Sequence, residues 1–270
     1  MSVINTNVSA LSAQNALKTN ARSMNTAMEQ LSTGTRVNSA KDDAAGLAIG
    51  QSMTTQVRGL NMAVRNVNDA VNMLQTAEGA MIEQTNMLQR MRELAVQSAS
   101  GTYSDTQRSY MTTEFNALTT QIGSISSQST WNGTNLMNAT GTFSYQAGAS
   151  SGQTINVVIT SMSTASLGVS TSSITSATTA ASAIATLDTA INSINSQRAT
   201  LGASINQMSY AADNLTNIST NAAASRSTVM DTDYATASTN LAKNQIIQQA
   251  ATAMLAQANQ QPQAVLSLLK

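Results

Sequence analysis

The chain has 270 residues with 13 basic and 13 acidic side chains, and only 10% of it is charged. It contains no histidine, no cysteine and only 3% aromatic residues. This composition removes the commonest general base, the thiol nucleophile, nearly all zinc ligand sets and any disulfide framework, and a balanced charge points to neither nucleic acid nor an acidic partner. The opening stretch, MSVINTNVSALSAQN, lacks a basic region and a continuous apolar run, so a cleaved secretory signal is not expected. No run of 18 apolar residues predicts a membrane span. The single proline, Pro262, leaves the chain free to build long helices.

The first predicted helix carries Ile4, Val8 and Leu11, then, after a one-residue slip, Leu17, Ala21, Met24, Met28 and Leu31. Next comes LSTGTRVNSAKDDAAGLAIG, whose glycines, lysine and paired aspartates raise the question of a phosphate or acid–base site. Helix punctuation explains it better. Gly34 stands where a C-cap glycine belongs, and Ser39 with Asp42 makes an S-x-x-D start signal that places Asp42 and Asp43 in the first turn. Adjacent helical residues do not face each other, and the spacing of a phosphate loop is absent.

A strict heptad stripe follows: Met53, Val57, Leu60, Val64, Val67, Val71 and Leu74, continuing through Met81, Leu88, Met91 and Ala95. A helix over 44–99 would run about 80 Å. Ser104 with Gln107 after Gly101 predicts a short turn into an antiparallel helix carrying Met111, Phe115, Leu118, Ile122 and Ile125. Residues 138–180 change character. TFSYQAG and TINVVIT read as two strands, and the remainder is polar and turn-rich. A second long stripe runs Ile184, Leu187, Ile191, Ile194, Leu201, Ile205, Met208, Ala212 and Leu215, broken by Arg198, either a register-fixing polar residue or a side chain reaching outward. The chain ends on Ile247, Ala251, Met254, Ala258, Val265 and Leu268. Each terminal helix has one narrow apolar face and needs a partner, and the two can serve each other. The predicted class is mainly α, a long-helix bundle or coiled coil with a small β-hairpin region mid-chain.

Seven segments, in order, resemble bacterial flagellins: VINTNVSALSAQNAL, LSTGTRVNSAKDDAAGLAIG, NDAVNMLQTAEGAM, MLQRMRELAVQSASGTYS, STWNGTNLM (Trp131 in place of the family's Phe), FSYQAGASSGQTI and LAKNQIIQQAATAMLAQANQQPQAVLSLLK. The resemblance implies a subunit exported unfolded by the flagellar type III apparatus and polymerised head-to-tail into the extracellular filament that drives swimming. It divides the chain into an inner coiled-coil helix (1–40), the first half of a helical rod (41–137), a short segment in place of outer domains (138–180), the second half of the rod (181–233) and a second inner helix (234–270). Ile4, Val8, Leu11, Ile247, Met254, Val265 and Leu268 are then the inner subunit interface. Implied partners are other copies of the chain, an export chaperone at the C-terminus, the filament cap, hook–filament junction proteins and a host Toll-like receptor. That receptor is expected on Arg90, Leu94 and Glu114, of which Arg90 and Glu114 also suit protofilament contacts. The alternative is another exported axial protein, such as the hook–filament junction protein. A protease in the central insert, found in some flagellins, would need His-Glu-x-x-His, which a chain without histidine lacks. No enzyme, cofactor or metal is expected.

Overall fold

The computed structural model describes residues 6–267, with side chains through residue 260. Among them are five α-helices: α1 (Val8–Thr33), α2 (Ala44–Ala99), α3 (Asp105–Gln128), α4 (Ala177–Met230) and α5 (Tyr234–Ser267). Four short strands lie between α3 and α4: β1 (Thr130–Trp131), β2 (Thr134–Asn135), β3 (Gly141–Gln146) and β4 (Thr154–Ile159). The described chain falls into two compact units, Arg58–Ser219 and the residues on either side of it.

In Arg58–Ser219 the buried positions of α2 include Leu60, Val67, Leu74, Met81, Leu88 and Ala95, alternating with Ala63, Ala70, Ala77, Gln84, Met91 and Ser98. Both sets repeat every seven residues, so the seam is a true heptad. Its phase differs from the predicted stripe. Val64 and Val71 are only half-buried, and alanines hold the second core place. On α4 the buried set includes Ala180, Ala183, Leu187, Ala190, Ile194, Gln197 and Leu201. Arg198 therefore sits beside the seam, with Nη2 3.6 Å from Glu78 Oε1.

Ser104 opens α3 through a capping box: its hydroxyl accepts the Gln107 N–H while Gln107 Oε1 accepts the Ser104 N–H at 2.9 Å. The turn folds α3 back so that Phe115 and Ile122 are fully buried. β1 and β2 form a tight hairpin around Asn132 and Gly133, both at positive φ. The Asn-Gly pair suits such a turn because two left-handed residues match the twist of the strands. β3 and β4 pair antiparallel from Gly141↔Ile159 to Gln146↔Thr154, as the alternating pattern predicts. The tip of this hairpin lies on α2 at Gly59, where a Cβ would come within 3.0 Å of Ala149 Cβ. The segment after β4 supplies Met162, Leu167, Val169 and Ile174 to the core. Polar pegs hold it: Gln84 Nε2 donates to Met162 O at 3.2 Å and to Ile122 O, and Ser98 Oγ donates to Ile174 O at 2.6 Å.

Candidate subunit interface

The other unit contains both terminal helices. α1 and α5 run against each other, tied by Asn20 Nδ2 donating to Asn244 O at 2.8 Å and Asn7 Nδ2 donating to Ala258 O at 2.7 Å. The covered positions of α1 include Ala10, Ala13, Leu17, Asn20, Met24, Ala27 and Leu31, spaced 3 and 4 apart. Those of α5 are Ala237, Leu241, Asn244, Gln248, Ala251, Leu255 and Ala258, with the same spacing. The seam is thus a heptad that mixes alanines and amides with Leu17, Met24, Leu31, Leu241 and Leu255. Small residues let two helices approach closely, and a buried Asn at a core place fixes register.

Other large apolar residues lie outside it. Val8 is 63% exposed, Leu11 52% and Met254 66%, and Met28, Ile246 and Ile247 are also exposed. Val8, Leu11, Ile247 and Met254 therefore do not close the α1–α5 seam within one chain. Val8 and Leu11 are out of phase with the covered positions of α1, and Ile247 and Met254 with those of α5. Ile247 and Met254, seven apart, share one flank, while Val8 and Leu11 lie elsewhere on α1, so uncovered apolar surface faces more than one direction. Ile4 and Leu268 lie outside the described residues, as does the side chain of Val265.

The junctions that feed this pair are ordered by capping. Gly34 ends α1 at φ 72, and its N–H donates to Gln30 O. The left-handed conformation favours glycine, and a Cβ there would also require the exposed Tyr234 hydroxyl, 2.8 Å away, to shift. Ser39 and Asp42 meet, but not as the start of α2. Asp42 Oδ2 accepts from the Ser39 hydroxyl at 2.9 Å and from the Ser39 N–H, closing a turn before the helix. The Ser39 hydroxyl, followed by backbone N–H donors, holds the Asp42 carboxyl below its usual range. Asp43 opens α2 instead, its Oδ1 accepting the Gly46 N–H at 2.8 Å. Of Ser39, Asp42 and Asp43, only Asp43, immediately preceding Ala44, aims its oxygen at a free N–H of the helix.

Arg90 and Glu114 come together across α2 and α3, Nε to Oε1 at 2.8 Å, and Arg90 Nη1 also reaches Glu93 at 2.9 Å. Glu114 first, then Glu93, raises the Arg90 pKa. Leu94 does not share this surface. At 3% exposure it belongs to the interior, because it falls between the core positions Met91 and Ala95. A second clip joins α2 to α4, Arg92 Nε to Asp188 Oδ1 at 2.6 Å.

The clefts offer little chemistry. One of about 530 Å³ between the β segment and α4 is lined by hydroxyls, amides, Met162 and Leu167, with no titratable group. Among the described residues, no cluster of acidic side chains is arranged to hold a metal.

Comparison with known proteins bears on the whole chain. Residues 4–142 match the bacterial flagellin N-terminal helical region and residues 184–269 the bacterial flagellin C-terminal helical region. The flagellar filament 33 kDa core protein of Treponema phagedenis is 40% identical over 287 residues, covering 99% of this chain and 100% of the relative. A flagellin of Halalkalibacterium halodurans is 40% identical over 271 residues, again covering 99% and 100%. The crystal structure of Bacillus cereus flagellin superimposes with a TM-score of 0.52 at 30% identity, covering 56% of this chain and 88% of that one.

Proposed function

The chain belongs to the bacterial flagellin family, and we propose that it builds the extracellular flagellar filament by polymerising through the apolar surface its terminal helices leave open. It is a structural subunit and not an enzyme. Nothing in the matched regions favours the hook–filament junction alternative. The observation that carries the assembly mode is the exposure of Val8, Leu11, Ile247 and Met254 beside a seam that does not cover them. Apolar groups of that size gain about 1.5–3 kcal/mol each when buried, and within one chain they are not. Because they face several directions, a helical lattice with more than one neighbour accounts for them better than a closed dimer.

In this reading residues 1–40 and 234–270 form the inner layer and residues 41–137 and 181–233 the rod. Residues 138–180 take the place of outer domains, and the relative in Halalkalibacterium aligns over nearly the same length. Ile4, Val265 and Leu268 would extend the inner interface toward the two chain ends. Export in an unfolded state suits a chain without disulfides. An export chaperone would cover the apolar face of residues 241–270 by receiving it as a helix in a groove. The filament cap and junction proteins would meet the same helices at the ends of the polymer.

For host recognition, Arg90 and Glu114 with Glu93 form the surface a Toll-like receptor would read, and Leu94 supports the helix from beneath. The same charges suit a protofilament contact, so polymer would hide them. Electron microscopy of purified full-length chain tests the central reading. Long helical filaments are expected, and a chain that stays dispersed when seeded with filament fragments would overturn it.

A further inference from the structure

The α1–α2 and α4–α5 connections are stitched to each other. Thr35 and Asp231 form an isolated antiparallel bridge. The Arg36 N–H donates to Met230 O at 2.6 Å, and the Thr232 N–H donates to Gly34 O at 3.0 Å. The Arg36 side chain extends the stitch: Nη2 donates to Val229 O at 2.6 Å and lies 3.7 Å from Asp43 Oδ2. Val37, the next residue, is buried and anchors the loop.

We propose that Arg36 is a positioning residue that makes the two connections bend as one. Val229 and Met230 end α4, and the last carbonyls of a helix have no partner within it. Here one residue from the other connection satisfies two of them, through its backbone and its guanidinium. The cation sits at the negative end of α4, and its carboxylate neighbour opens α2 at that helix's positive end. One side chain therefore links the end of α4, the start of α2 and the exit from α1. A planar fork can address a carbonyl and a carboxylate together, and a lysine ammonium cannot do so with the same geometry.

The Arg36 side chain is 48% exposed, so these bonds are individually weak. Their effect falls on which arrangement of the junction is populated, not on whether the helices form. If either connection flexed alone, α1 and α5 would be pulled out of the register that Asn20 sets. The consequence for assembly rests on the filament reading; the clasp itself does not.

Amide exchange followed by NMR on the soluble full-length chain tests the clasp. The Arg36 and Thr232 amides are expected to be protected in the unaltered chain. Arg36→Gln should speed both about tenfold while leaving the interiors of α2 and α4 and the circular dichroism unchanged. Arg36→Lys should fall between. Asp43→Asn, which keeps an oxygen for the Gly46 N–H, should have a smaller effect. Unprotected amides in the unaltered chain, equal protection in Arg36→Gln, or loss at only one amide overturns the proposal. Arg36→Gln should also raise the polymerisation threshold about tenfold, the equivalent of one decade in an equilibrium constant. An unchanged threshold overturns the coupling to assembly. If the unaltered chain does not polymerise at all, the filament reading fails and the exchange data alone decide the clasp.

Discussion

The interior of Arg58–Ser219 and the α1–α5 seam obey the same heptad rule and reach opposite ends. In the first, Phe115, Leu74, Met81, Leu88 and Met91 are sealed from solvent. In the second, alanines and amides alternate with Leu17, Met24, Leu31, Leu241 and Leu255 in a partly covered seam, and Val8, Leu11, Ile247 and Met254 face out. The lesson is that periodicity says where two helices meet, while side-chain volume says whether the meeting is complete. One region is finished within a single chain; the other leaves apolar side chains uncovered.

The largest expected effect breaks the finished side. Phe115→Ala should destabilise Arg58–Ser219 by about 3–5 kcal/mol, with Met254→Ala changing the soluble chain by less than about 0.5 kcal/mol. Urea unfolding followed at Trp131, the lone tryptophan, reports that unit directly. Similar losses from both substitutions would erase the distinction. Next, Leu11→Asp with Met254→Asp should leave the soluble chain folded and raise the polymerisation threshold on the order of a hundredfold, because charges would have to enter an apolar contact. Normal filaments from the double variant would show that these side chains are not interface.

A smaller effect sharpens the seam. Asn20→Leu should change pairing stability by no more than about 1 kcal/mol, since it removes one hydrogen bond and adds apolar surface. Its signature is loss of register. Cysteine pairs introduced across the seam in two alternative registers should crosslink selectively in the Asn20 chain and in both registers in Asn20→Leu. Selective crosslinking in both would remove Asn20 from that role.

The smallest expected effect is a difference in pH response. Asp42 is lowered chiefly by the Ser39 hydroxyl and Asp233 chiefly by the Thr236 hydroxyl. Their folded pKa values lie below the unfolded ones, so their contribution is present above the unfolded carboxylate range and lost as pH falls through the folded values. Tyr145, pushed up to about 12 by burial, behaves in reverse: its contribution is full below its ordinary value of 10.0 and declines as pH rises toward 12. Acid should thus loosen the junctions of the terminal helices first, and alkali the β-hairpin region. Site-resolved NMR titration checks the order.

The long helices, their turns and the β3–β4 hairpin were legible because each rests on a strong local signal: heptads, a Ser-x-x-Gln box and two-residue alternation. The phase of the seams was not. Val57, Val64 and Val71 draw attention by size, while Ala63, Ala70 and Ala77 hold the core place because close helix approach selects small residues. On α1 and α5 the predicted stripes share Leu17, Met24, Leu31, Ala251 and Ala258 with the seam, while Val8 and Met254 fall outside it. Leu94 reads as a neighbour of Arg90 on spacing alone; only its place between two core residues shows it to be interior. Met162, Val169 and Ile174 are buried apolar residues in a Ser/Thr-rich stretch with no period, so no pattern announces them.

The hydroxyls of the helices spend themselves at home. Thr54, Thr76, Thr119, Thr189, Ser193, Thr200, Ser204 and Thr216 each donate to the carbonyl four residues back. A surface clothed this way meets water mostly through lone pairs and methyl groups, with few fixed charges to attract a counter-ion cloud. Ionic strength, which screens charge over roughly 10 Å at 0.1 M, has little on such a surface to act upon.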